Sequence, residues 1–123
     1  MTATVFVILA GLMGAAGVVL AAASAHMAPG AGLDSAASML LYHAAGVLGA
    51  TAAINQGLVL RPLGIAAVTG LVLGAGLFSA DIALRAFSGH RLFPMAAPTG
   101  GTILIAGWLA LALAAVLAFW RHG

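Results

Sequence analysis

The side chains able to do chemistry in this chain are few: four arginines, two aspartates and four histidines among 123 residues, with no lysine and no cysteine. The densest group lies between Phe78 and Gly101, FSADIALRAFSGHRLFPMAAPTGG. Asp81 and Arg85 are four apart there, so on a helix they share a face and pair. An ionisable pair inside an otherwise apolar span points by default to handling of a proton or a ligand. The competing reading is mechanical, with the pair fastening a helix end at the headgroups while Arg85 snorkels. His26 and His43 are the candidate partners from neighbouring helices, and Tyr42, Ser79 and Arg91 add hydrogen-bonding groups. His43 reads first as a neutral core histidine giving one bond to a carbonyl, and second as a proton relay or ligand-binding group.

Known catalytic templates fit these residues poorly. Ser79, His43 and Asp81 are the right types for a serine triad, but there is no nucleophile elbow, and residues two apart on a helix point in different directions. His26, His43 and Asp81 have the right chemistry for a metal but not the HxxxH or HxxE spacing. Two histidines on different helices can bracket a haem, yet nothing in the spacing selects that arrangement. No catalytic residue, metal ligand or cofactor is therefore assigned, and the expectation is a non-enzyme. Pro98-Thr99-Gly100-Gly101 offers a different chemistry: a helix start with little side-chain cover exposes backbone N–H groups to an anion or a lipid headgroup, with Arg91 close by. Alternatively Gly100 and Gly101 let that helix approach a neighbour closely.

The elements that must position these residues follow from composition. The chain is 64% hydrophobic and 5% charged, with a mean hydropathy of +1.23, whereas an ordinary soluble domain is roughly 25% charged. Such a surface faces lipid. The pI near 10.7 comes from a handful of arginines that form no basic stripe, so nucleic acid is excluded as a partner. Without cysteine there is no disulfide, thiolate or iron–sulfur chemistry.

Val5 to Ala25 is an uncharged run of roughly 31 Å as a helix, the thickness of the hydrocarbon core. Ala23-Ser24-Ala25 has the look of a signal-peptide cleavage site, but Met1-Thr2-Ala3-Thr4 has no basic residue and the run is of spanning length, so an uncleaved first span is expected. Met27 to Gly32 is a turn, Asp34 is placed to cap a second helix over about 35–55, and Asn55-Gln56-Gly57 breaks it. Pro62 suits the first turn of a third helix over about 62–86. Gly89, Pro94 and Pro98 mark a loop, Thr99 is the expected cap of a fourth helix over about 99–120, and Trp120-Arg121-His122 ends it as an interfacial anchor with a positive tail. The expected fold is one all-α transmembrane domain, four helices in an up-down bundle with both termini on one side. Discounting Arg85 as paired, the arginine bias puts both termini in the cytoplasm.

Helix packing is written in small residues. Gly70 and Gly74 form a GxxxG, and Ala106, Ala110, Ala114 and Ala118 recur at fourfold spacing on the last helix. These are expected to pack helices within the chain, with a partner-facing surface as the alternative.

In several of these places the chain resembles the YgdD-like group of small four-span bacterial inner-membrane proteins of unknown function. The likeness runs over essentially the whole chain. It is carried by Ala25-His26, where that group has a GAH; Tyr42-His43-Ala44, matching a YHA; Phe78-Ser79, matching an FSG; and Pro98-Thr99-Gly100-Gly101 with Ala106-Gly107-Trp108, matching a TPxGG followed by AGW. Gly89 and Arg91 also fall on positions of that pattern. Ser24, Leu40, Ala80 and Ala97 depart from it, and Leu40 and Ala97 remove two hydrogen-bonding groups from the outer end. The resemblance implies the fold and an inner-membrane location and brings no activity with it.

Two functions are expected from these residues. The first is an accessory or stabilising subunit of a larger inner-membrane complex, working through helix packing. The second is binding or transport of a small lipophile, quinone or proton at the outer end, using His26, His43, Asp81 and Arg85. The lipid bilayer is the expected partner, with a larger inner-membrane complex beside it; an oligomer is left open.

Overall fold

The computed structural model describes residues 1–27 and 29–122, the side chain of His122 excepted. Ala28 in the first turn and the histidine of the positive tail thus lie outside the described residues. Four helices account for the regular structure: α1 Thr2–His26, α2 Leu33–Asn55, α3 Arg61–Ser88 and α4 Ala96–His122. Each is long and apolar enough to cross a membrane, and the chain is a multi-pass, all-helical membrane protein. At 28 residues, α3 is about 42 Å long and overshoots a hydrocarbon core of about 30 Å. Its two arginines, Arg61 and Arg85, fall near its ends.

Helix starts depart from the side-chain caps the sequence suggests. Leu33 is fully buried, and its packing draws α2 back past Asp34. The residue before the helix is Gly32, in the left-handed region at φ 84°, and Asp34 is an exposed first-turn acid suited to the helix dipole. α4 likewise begins three residues before Thr99, because Ala96 and Ala97 are both buried. Pro98 is then the third helical residue, where its missing N–H costs nothing, and the Thr99 N–H donates to the Met95 carbonyl at 2.9 Å. Thr99 is an exposed first-turn residue rather than a cap. α3 ends at Gly89, whose φ of 77° closes the helix while its N–H donates to the Arg85 carbonyl at 3.0 Å.

Successive helices pack as neighbours: α1 on α2, α2 on α3, and α3 on α4. α1 and α4 do not pack extensively on each other, so the up-down bundle is open between its first and last members. The α3–α4 seam is nearly backbone to backbone. A β-carbon added to Gly100 would lie 2.7 Å from the Phe78 nitrogen, and one added to Gly74 would lie 2.8 Å from the Gly100 carbonyl oxygen. Gly70 faces Gly107 across the same seam. The GxxxG of α3 is therefore a packing device within the chain.

The alanine ladder of α4 does not form the single face its fourfold spacing suggests. Ala106 is exposed, Ala110 is half-buried, and only Ala114 and Ala118 are buried. An α-helix returns after 3.6 residues, so each four-residue step drifts by about 40° and the row winds off any one face. The buried row is instead Ala97, Gly100, Leu104, Gly107, Ala114 and Ala118, whose steps of three, four and seven hold one side against α3.

Candidate functional site

The polar residues resolve into separate fastenings rather than one constellation. In the C-terminal part of α3, Asp81 is completely buried. Its Oδ1 accepts the Leu92 N–H at 3.0 Å. Its Oδ2 faces Arg85 Nε at 3.8 Å and Arg91 Nη2 at 3.7 Å. Those separations bring charge pairing without direct hydrogen bonds, and among the described residues Oδ2 has no hydrogen-bond partner. The loop that returns Arg91 and Leu92 to the helix runs between two left-handed residues, Gly89 and Met95, the latter at φ 69°. The Asp81–Arg85 pair read from the four-residue spacing is thus one side of a clasp closed by the loop. Arg91 lies on Asp81.

Ser79, two residues earlier and also buried, donates its hydroxyl to the Ala36 carbonyl at 2.9 Å. That bond ties α3 to α2. Because Ala36 and Leu33 share the buried start of α2, the clasp and this tie together fix the start of α2 against the C-terminal part of α3.

His43 lies about 15 Å into α2, near mid-membrane depth. It is buried. Its Nδ1 is 2.7 Å from the Met39 carbonyl, and the Trp108 indole N–H of α4 donates to its Nε2 at 3.0 Å. An indole nitrogen can only donate, so Nε2 must be the acceptor and Nδ1 must carry the hydrogen given to Met39. Both ring nitrogens of the neutral imidazole are then in use. The rings lie 5.7 Å apart, tilted by 53°. Gly46, one turn below His43, leaves the space the indole fills, since a β-carbon there would come within 2.9 Å of its Cη2.

The remaining candidates stand apart from these fastenings. His26 is exposed at the end of α1. Tyr42 is 69% exposed on the lipid-facing side of α2. Gly100 and Gly101 are the fifth and sixth residues of α4, inside its hydrogen-bond ladder, so the open N–H groups expected of them are already spent. Gly100 serves the close approach to α3, while Gly101 meets nothing within 4 Å. Among the described residues no three metal-ligating side chains come together.

Sequence reasoning did not single out Trp108, Leu92 or Thr51. Trp108 sat inside the AGW motif, but nothing in a linear sequence pairs it with a histidine 65 positions earlier. Thr51 is buried in α2, its hydroxyl without a partner among the described residues, and no spacing signals that. Two larger clefts accompany these features. One, of about 550 Å³, opens at the end of the bundle where α2 begins, between Gly30, Gly32, Ser35, Phe78, Ile82 and Arg85. The other, of about 530 Å³, is an apolar groove between α2 and α4 below the His43–Trp108 bond, with Gly46, Gly49, Trp108 and Ala112 among its walls.

No curated protein and no solved structure matches the chain. A match does exist to a family described as protein of unknown function (DUF423), over residues 13–101. That span takes in His43, Ser79, Asp81, Arg85, Arg91 and the Gly100 contact, and stops short of Trp108. With the greater part of its length covered, and the buried polar fastenings of α2 and α3 inside the match, this chain belongs to the DUF423 family.

Proposed function

We propose that the protein is a non-enzymatic, accessory subunit of a larger assembly in a bacterial inner membrane, acting through its helix faces. The observation that carries this is the fate of the buried polar groups. Ser79 holds α2 to α3, His43 holds α2 to α4, and Asp81 holds the α3–α4 loop. Chemistry that is spent on internal ties is not free to turn over a substrate. The flanking helices meanwhile keep broad apolar surfaces, with Leu12 and Val19 on α1 and Ile105 and Leu109 on α4 all exposed. The bacterial location rests on the YgdD-like resemblance. The cytoplasmic placing of the termini rests on the arginines: Arg85 and Arg91 face Asp81, whereas Arg61 and Arg121 at the other end face no acid among the described residues.

A photo-crosslinking amino acid at Leu12 or Ile105, used in native membranes, should give one discrete heavier product. The same probe at buried Val47 should give none. Only monomer from every exposed position would sink the subunit reading.

A second reading, capture of a small lipophile at the outer end, is favoured by one observation: Arg85 borders the 550 Å³ cleft beside Ser35 and Phe78. It expects Arg85→Ala to lose a retained lipophile from the purified protein while the bundle still folds. Identical extracts from both proteins would remove it.

A further inference from the structure

The two acids of this chain, Asp34 and Asp81, both lie toward one end of the bundle. The other end, where the chain begins and α4 finishes, carries Arg61 and Arg121, both exposed. They come from different helices, yet both line one cleft of about 320 Å³, together with Asn55, Gly57 and Ala118. Neither makes an ion pair among the described residues. Arg61 is also the first residue of α3, whose opening turn has no acid and whose preceding residue, Leu60, supplies no side-chain cap. A cation at that position opposes the helix dipole. Two guanidinium groups around one opening, with a helix start beside them, form a field that an anion relieves.

The cleft adjoins the apolar groove between α2 and α4, with Val59 lining both. That groove climbs past Ala53 and Gly49 on α2 and past Ala115 and Ala112 on α4, and ends against Trp108, which His43 holds in place. Gly49 meets nothing within 4 Å of an added β-carbon, so the groove is open there. From Trp108 to Arg121 the groove and cleft together run about 20 Å along α4, somewhat more than one leaflet's hydrocarbon of about 15 Å. A charged cleft at headgroup level adjoining an apolar groove, the two together about one leaflet long, has the two-part chemistry of an amphiphile with a negative head.

We propose that this cleft and groove together bind one anionic phospholipid, its phosphate between Arg61 and Arg121 and one acyl chain along the groove below Trp108. The test is thermal unfolding of the purified full-length protein in a mild non-ionic detergent at fixed low salt, titrated separately with phosphatidylglycerol, phosphatidylcholine of the same chains, and inorganic phosphate. Phosphatidylglycerol should raise the melting temperature saturably and at lower concentration than phosphatidylcholine. In the Arg61→Gln/Arg121→Gln double variant its apparent affinity should fall by roughly 25-fold, taking about fivefold for each arginine near an anionic headgroup. His90→Gln, exposed at the opposite end of the bundle, should leave that affinity unchanged. Gly49→Leu, which fills the groove and leaves both arginines, should weaken it as well. Both arginines are exposed, so the variants are expected to fold; if the double variant does not, each single variant carries the same comparison. Equal responses to the two lipids, an equal response to phosphate alone, an unchanged affinity in Gly49→Leu, or a loss in His90→Gln as large as in the double variant would each overturn the proposal.

Discussion

Asp81 presents the sharpest energetic question at the scale of single residues. A carboxylate removed from water is costly unless charge and hydrogen bonds replace its hydration. Here one oxygen has the Leu92 N–H and the other has only charge, from Arg85 and Arg91. Their side chains are 42% and 44% exposed, so solvent screens both and each alone contributes little. The carboxylate should therefore matter more than either cation. Asp81→Ala is expected to cost about 2–3 kcal/mol of stability, since it frees the loop N–H and both guanidinium groups, against less than about 1 kcal/mol for Arg85→Ala. Denaturant titration in detergent measures both, and equal losses would contradict the clasp. Trp108→Phe should cost about 1 kcal/mol beyond any packing change, because it leaves His43 Nε2 without a donor. A double-mutant cycle with His43→Phe isolates that pair; a coupling near zero would show the bond to be idle. These two cases mark what the sequence could reveal. Asp81 and Arg85 lie within one helical turn, so their spacing disclosed the pair. Arg91 needed the path of a loop, and Trp108 needed the relative placing of two helices, and neither is a local property of the chain.

Among the elements, the α3–α4 seam is the most exacting. Gly100 and Gly101 are adjacent and identical in type, yet an added methyl meets backbone at 2.7 Å in the first case and open space in the second. Gly100→Ala should destabilise by about 1–3 kcal/mol, because Phe78 backbone cannot move aside as a side chain could. Gly101→Ala should be neutral or stabilising, by up to about 1 kcal/mol, through helix propensity. Comparable midpoints for the two variants would mean the seam is looser than its geometry. Helix existence was plain in the sequence because long uncharged runs in so apolar a chain admit little else. Helix starts were not, since Asp34 and Thr99 are good caps in isolation and were overruled by the burial of Leu33, Ala96 and Ala97. The small residues were visible too, but the side of α4 they occupy depended on recognising steps of three and four rather than of four alone.

At the scale of the whole molecule the charges sort by end. If the arginine asymmetry sets orientation, cysteines introduced at Thr2 and Gln56 should be shielded from an impermeant maleimide in intact cells, and one at His90 should react. The absence of native cysteine makes each label unambiguous, and the reverse pattern would turn the bundle over. The openness of that bundle bears on how it is made. Every extensive contact joins helices adjacent in sequence, so each span leaving the insertion machinery finds its main neighbour already in the bilayer. No step waits for the first and last spans to meet, and the loops to be closed stay short. Assembly can then proceed in the order of synthesis, with the link from Trp108 back to His43 as the closing event that locks the finished chain.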